Sequence, residues 1–197
     1  MSDPGSGAPV FVLASGSTRR AELLERLEVN FEIDVADVDE TPRDGERPAD
    51  LVARLAAAKA SVVARARPGC IVIGADTVVV IDDEALGKPH LPDAALAMLW
   101  RLAGRTHVAM TAVCVIGPDG TPHEAVESAE VDLADVDASV LDWYVSTGEP
   151  LDKAGAYALQ GVGALLIRSV RGDPTTIIGL PLRTTIGLLR SAGLDWP

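Results

Sequence analysis

Two cysteines, Cys70 and Cys114, are all the chain carries, and each lies inside an apolar run. That scarcity excludes a disulfide framework and reads as two buried, reduced thiols. No Cys or His spacing matches a zinc site. The three histidines, His90, His107 and His123, form no pair at ligand spacing, and no Ser-His-Asp arrangement is suggested. Basic residues are also scarce: 17 Lys and Arg against 29 Asp and Glu leave a net charge of −12 at pH 7. Such a field opposes sequence-independent binding to a nucleic-acid polymer, although a local basic cluster can still hold a nucleotide. No apolar stretch reaches the length of a membrane span. Residues 1–9 are small, polar and rich in Gly and Pro, with no basic region leading into an apolar core. They read as a flexible tail, not a signal peptide. A cytoplasmic protein with no membrane partner is expected.

What remains is an ordinary globular composition, 48% hydrophobic and 23% charged over 197 residues, enough for one domain over residues 10–197. Val10 to Ala14 reads as a short strand, followed by the small turn Ser15-Gly16-Ser17 and a helix with Leu23, Leu24 and Leu27 on one face, capped by Ser17 or Thr18. Phe31 to Val35 alternates like a second strand, and residues 37–47 form an acidic loop. A helix from about Pro48 to Arg65 has Leu51, Val52, Leu55, Val62 and Val63 on one arc, with Lys59 in its middle. Ile71 to Ile81 is buried strand material, with a turn at Asp82-Asp83-Glu84 and a loop at Gly87-Lys88-Pro89. Further helices are expected over 93–103, from Asp137 to Thr147 and over 182–192. Further strands are expected over 106–116, through Ser128 to Leu133, and over 164–170. The class is α/β, with a mixed twisted sheet and flanking helices.

Asp76 is the most informative residue, because it interrupts the apolar run with a carboxylate that is costly to bury unless it is paired or binds a metal. A site is the better reading. Lys59 either snorkels to solvent or reaches an anion in a cleft. Arg19 and Arg20 oppose the helix dipole in the first turn after Ser15-Gly16-Ser17. They are either solvated or compensated by an anion on the turn's backbone N–H groups. The nucleotide-triphosphatase loop, Gly-x-x-x-x-Gly-Lys-Ser/Thr, is absent. Asp34, Asp37, Asp39 and Glu40 read as a solvated acidic loop, unless Glu40 meets Asp76, when two carboxylates could hold a Mg²⁺ ion. Lys88 is either a surface lysine or a point charge for a phosphate. Gln160, next to Gly161, is either a turn residue or an amide suited to a base edge. Separated cations suit a polyphosphate and paired acids suit a divalent metal. No activated Ser or Cys nucleophile is visible, so these residue types point to metal-assisted attack of water on a phosphoanhydride.

Ordered motifs then carry a resemblance over nearly the whole chain after residue 9. They are Leu13-Ala14-Ser15-Gly16-Ser17-Thr18-Arg19-Arg20-Ala21-Glu22-Leu23-Leu24, Arg54-Leu55-Ala56 with Lys59-Ala60, Gly74-Ala75-Asp76-Thr77-Val78-Val79, Leu86-Gly87-Lys88-Pro89, Asp152-Lys153-Ala154-Gly155-Ala156-Tyr157, Gln160-Gly161 and Gly179-Leu180-Pro181-Leu182. Together they resemble the Maf family of nucleoside triphosphate pyrophosphatases. The resemblance implies two lobes around a cleft, similar to inosine triphosphate pyrophosphatases. It implies hydrolysis between the α and β phosphates to a nucleoside monophosphate and pyrophosphate, with Mg²⁺ or Mn²⁺, and a homodimer. Asp76 corresponds to the proton acceptor, and Ser15, Arg20, Glu40, Lys59 and Lys88 to a polar ring around it, with Glu40 and Asp76 as the expected metal ligands. Arg19, Thr77 and Gln160 match the selectivity positions of the dTTP/UTP branch, whereas the 7-methyl-GTP branch tends to carry Trp at the first. The alternatives are pyrophosphatase action on other or modified bases, or a nucleotide-binding regulator of septum formation with little turnover. Thr18 stands where the family usually has Pro, and Gly172-Asp173 is followed by Pro174 where an aromatic is usual.

Overall fold

The longest buried run organises the sheet. Ile71–Ile81 (β3) follows Phe11–Leu13 (β1), Thr18–Glu25 (α1), Phe31–Ile33 (β2) and Pro48–Ala66 (α2) in the computed structural model, which describes residues 10–194. The expected tail at residues 1–9 lies outside the described residues. After β3 come Glu84–Leu86 (β4), Pro92–Leu102 (α3), Thr106–Ile116 (β5), Pro122–Leu133 (β6), Ala138–Ser146 (α4), Ile167–Arg171 (β7), Pro174–Ile178 (α5) and Leu182–Ser191 (α6), with three short 3-10 turns between α4 and β7. The seven strands form one sheet ordered β2-β1-β3-β5-β6-β7, with β4 added to β3. β1 is parallel to β2 and β3, and the other pairings are antiparallel. The sheet is therefore mixed, as expected.

One edge of β3 forks. β1 pairs with Ile71–Ile73 and β4 pairs with Val79–Ile81, while β5 runs unbroken along the other edge from Val72 to Val80. Residues 74–78 have no strand on the forked edge among the described residues, and this gap contains Asp76 and Thr77.

The core divides around the fork. Alternation on β3 sends Ile71, Ile73 and Ala75 toward α1 and α6, where they pack with Leu23, Leu24 and Leu189. Val72 and Val78 face α2, packing with Val52, Ala56, Ala60 and Val63. Beyond the fork, Val79 and Ile81 join α3, α4 and the 3-10 segment in a separate cluster containing Leu99, Leu141, Tyr144 and Tyr157. The first two clusters, on opposite faces of the sheet, make one lobe and the third makes the second, with the forked edge between them.

Local differences from the sequence reading have simple causes. Glu84 leaves the expected turn and enters β4, because Asp82 and Asp83 alone close the hairpin, both at positive φ. The expected strand over 164–170 starts at Ile167, since Val162–Leu166 winds into a 3-10 turn. Residues 174–178, to which the sequence reading assigned no element, form α5, with Pro174 in its first turn and the Asp173 side chain accepting from the Thr175 backbone N–H. Neither Ser17 nor Thr18 caps α1 through its side chain. Cys114 is buried and its thiol is pushed up to about 12 by burial and by the nearby Glu124 carboxylate, but Cys70 is only partly buried.

Candidate active site

Why Lys59 reaches Asp76 follows from a glycine. A Cβ on Gly74 would lie 2.4 Å from the Ala56 carbonyl oxygen and 2.7 Å from the Ala60 nitrogen. α2 therefore crosses β3 at a distance only glycine permits, and Lys59, one residue before Ala60, hangs over the forked edge two residues further along β3. Its ammonium lies 2.6 Å from Asp76 Oδ1 and 2.6 Å from Glu40 Oε1. Lys59 is buried, so the reading that turns it to solvent is excluded.

Glu40 arrives on the acidic loop, which Arg54 ties down. The Arg54 guanidinium donates to both Glu46 carboxylate oxygens, at 2.6 and 2.8 Å, and to the Thr41 carbonyl at 3.1 Å. Burial works against ionisation of Glu40. The hydrogen bond and charge of Lys59, with the charges of Lys88 and Arg20, outweigh it and hold the carboxyl below its usual range.

Arg20 is fixed by three neutral acceptors: the Gly179 carbonyl at 2.8 Å, Ser15 Oγ at 3.0 Å and Thr77 Oγ1 at 3.1 Å. A guanidinium has five donors, so two N–H groups are left over. Burial lowers its pKa, partly opposed by the Asp76 charge, and neighbouring Arg19 lowers it further. Ser15 Oγ also accepts the Ser17 backbone N–H at 3.2 Å, which leaves its own O–H free to donate.

Thr77 sits in a directed chain. The Thr111 hydroxyl donates to the Thr176 carbonyl at 2.6 Å, so the 2.9 Å contact between the two hydroxyls runs from Thr77 to Thr111. With its proton committed and Arg20 donating to it, Thr77 can only accept from a ligand. At the far end of the cleft, Gln160 Oε1 is buried without a hydrogen-bond partner. This is a second acceptor waiting for a donor.

Ser15, Arg20, Glu40, Lys59, Asp76, Thr77 and Gln160 line two connecting cavities. One, of about 270 Å³, runs from Arg20 and Asp76 past Tyr157 to Gln160. The other, of about 420 Å³, is walled by the Ser15-Gly16-Ser17 turn, Val35 and Ala36. Ser17, Arg19, Arg20, Glu40, Lys59 and Lys88 line both. Lys88 has no hydrogen bond or ion pair among the described residues. Arg19 is turned across the mouth of the cleft, where it pairs with Asp152 at 3.0 Å. Ser15, Arg19, Arg20, Glu40, Lys59, Asp76, Thr77, Lys88 and Gln160 thus border this continuous cleft, whereas Asp34, Asp37 and Asp39 of the acidic loop line neither cavity.

Glu40 and Asp76 present oxygens to one ammonium, so those two atoms are no more than twice 2.6 Å apart. Their other oxygens have no partner among the described residues. Two carboxylates with phosphate and water as the remaining ligands is a usual Mg²⁺ arrangement, and the pair fits it. No cluster of three or more His, Cys, Asp or Glu side chains placed for a metal occurs among the described residues.

Sequence reasoning missed Arg54, Thr111 and Asp152 as parts of this arrangement. Arg54, inside the Arg54-Leu55-Ala56 motif, and Asp152, at the head of the Asp152-Lys153-Ala154-Gly155-Ala156-Tyr157 motif, carried a local signal, and Thr111 carried none. His90 borders the cleft as well, whereas His107 is a core residue whose Nε2 contacts the Tyr157 hydroxyl at 2.8 Å. No helix among the described residues is long and apolar enough to cross a membrane.

The model of the Maf-like protein family matches residues 10–192. A protein of Myxococcus xanthus named dTTP/UTP pyrophosphatase is 46% identical over 190 residues, covering 95% of both chains. One of Anaeromyxobacter dehalogenans with the same name is 49% identical over 193 residues, covering 96% of this chain and 97% of its own. Among solved structures, the Ham1 protein of Staphylococcus aureus superposes with a TM-score of 0.47 at 18% identity, over 64% of this chain and 72% of that one.

Proposed function

Because the chain belongs to the Maf-like protein family, we propose that it hydrolyses nucleoside triphosphates to a nucleoside monophosphate and pyrophosphate, with dTTP and UTP as its preferred substrates. The observation that carries this reading is the carboxylate of Asp76 on the forked edge of β3, with Lys59, Lys88 and Arg20 bordering the same cleft. Cations at separated positions suit the oxygens of a triphosphate, where charge grows during cleavage. Asp76, held through Oδ1 by Lys59, has Oδ2 left to orient a water and take its proton. Ser15 Oγ–H, the spare Arg20 donors and Lys88 bind phosphate oxygens. Glu40 and Asp76 are the residues that would hold a divalent cation, which when bound supplies positive charge to polarise the phosphate oxygens.

The base preference follows from acceptors. Uracil and thymine carry a ring N3–H, and cytosine does not. Gln160 Oε1 has no internal donor, and Thr77 can accept but not donate. Both features favour a base with a ring N–H over cytosine, whose N3 only accepts, and the names of the relatives favour uracil and thymine over purines that carry a ring N1–H.

Pyrophosphate release from dTTP, UTP, CTP, 7-methyl-GTP and ITP, with and without Mg²⁺ or Mn²⁺, tests the proposal. Release that requires metal and favours dTTP and UTP is expected. Equal release from CTP overturns the acceptor argument and leaves the hydrolysis. Nucleotide binding without release from any substrate overturns the hydrolysis and turns the site into that of a nucleotide-responsive regulator.

A further inference from the structure

Gln160 reads a base only if its turn is held still, and no strand or helix holds it. It lies between the 3-10 turn Ala154–Ala156 and the one at Val162–Leu166. What fixes the turn is a carboxylate outside the cleft lining. Glu149 Oε2 accepts the Val162 N–H at 2.9 Å, and Oε1 accepts the Gly163 N–H at 2.8 Å. These are the second and third backbone donors after Gln160. Oε1 also accepts the hydroxyl of Tyr144 at 2.9 Å, and Tyr144 is fully buried in the second lobe. The carboxylate is thus anchored in the core on one side and grips the turn on the other.

Packing leaves no slack. Gly161 has φ +108°, and a Cβ there would lie 2.4 Å from Glu149 Oε2. A Cβ on Gly163 would lie 2.4 Å from the Tyr144 hydroxyl oxygen. Two glycines of the turn are therefore pressed against the two groups that hold it. The grip also extends toward the phosphate end: Lys153 Nζ donates to the Glu149 carbonyl at 3.1 Å and contacts Asp152, which pairs with Arg19.

We infer that Glu149 is a positioning residue that sets base selectivity, by fixing through the Val162 and Gly163 N–H groups the turn from which Gln160 addresses the base. The inference rests on the proposed nucleotide site. It assigns Glu149 no contact with substrate. An amide in its place keeps one acceptor oxygen and turns an NH₂ toward one of the two backbone donors, so Glu149→Gln breaks the grip with little change of volume.

The test is calorimetric binding of two probes: α,β-imido-dUTP, which carries a base and cannot be cleaved at the α–β bridge, and inorganic tripolyphosphate, which reads only the phosphate end. Wild type is expected to bind the nucleotide analogue more tightly than tripolyphosphate. In Glu149→Gln the analogue is expected to weaken about tenfold, on the order of one lost charge-assisted hydrogen bond, with tripolyphosphate within about twofold. Tyr144→Phe, which removes one anchor of the carboxylate, should shift the analogue in the same direction by less, and it decides the question if Glu149→Gln does not fold. Equal weakening of both probes makes Glu149 merely structural and overturns the inference. So does no weakening of either, or a wild type that gains no affinity from the base. Pyrophosphate release in the same samples is a separate readout. A wild type that binds selectively but releases nothing defeats the proposed hydrolysis and leaves the assignment of Glu149 standing.

Discussion

Lys59 is the residue on which the acidic end of the cleft turns. It is in contact with both acids, and it is the main favourable influence on Glu40, whose carboxyl it holds low against the opposing effect of burial. Replacing it with Gln removes a buried charge and leaves two carboxylates facing each other. The Glu40 pKa is then expected to rise toward its ordinary value, as read by NMR titration of its side-chain carboxyl carbon. Turnover is expected to fall by about 10²–10³, the size typical of losing one preorganised electrostatic group. An unmoved Glu40 titration in Lys59→Gln sinks this account of the pair. Asp76 and Lys59 were legible in the sequence because each violates its local pattern, an acid in an apolar strand and a cation on an apolar helix stripe. Glu149 and Thr111 violate nothing locally. Glu149 meets Val162 across 13 positions and Thr111 meets Thr176 across 65, so no window of sequence could pair them.

At the scale of elements, the site depends on how closely α2 crosses β3. Gly74→Ala forces a Cβ to within 2.4 Å of a helix carbonyl, and backbone cannot step aside as a side-chain tip can. Expected losses are about 1–3 kcal/mol of unfolding free energy, the usual cost of overpacking, and a larger fall in turnover than the lost stability explains, because Lys59 moves with the helix. Denaturant unfolding and steady-state turnover on the same preparation check both. Full activity in a destabilised Gly74→Ala would show that the crossing distance does not set the Lys59 position. The long elements β3 and β5 match their expected limits because an eleven-residue apolar or alternating run admits few other readings. α5, the short strand β4 and the onset of β7 were misjudged, because 3–5 residues carry too little periodicity to outweigh the Gly and Pro around them. The fork itself could not be foreseen from sequence. It exists because β1 and β4 are each only three residues long, and nothing in either segment says that both pair with the same edge of β3.

Across the whole molecule, a net charge of −12 coexists with a cleft bordered by Arg19, Arg20, Lys59 and Lys88, so local placement outweighs composition in deciding what this protein attracts. One buried group links the second lobe to solution pH. His107 is almost fully buried, and burial lowers its pKa from 6.5 to about 4, with Asp132 only partly opposing. The unfolded chain binds that proton from about pH 6.5 downward, and the folded chain does so only near 4. Stability contributed by neutral His107 is therefore complete above pH 6.5 and lost as pH falls through this window, by up to about 3 kcal/mol. Unfolding free energies of wild type and His107→Gln measured at pH 7 and pH 4.5 isolate the effect, with the smaller decline expected in the variant. Equal declines would mean that other groups set the acid sensitivity.

The central claim is that the Asp76 carboxylate carries the chemistry. The most direct test is pyrophosphate release from dTTP by wild type and Asp76→Asn, at saturating nucleotide and Mg²⁺ or Mn²⁺, with both proteins shown to be equally folded. The account predicts a fall in turnover of at least about 10²–10³ in the variant. Full turnover in Asp76→Asn would contradict it and move the reaction to another group in the cleft.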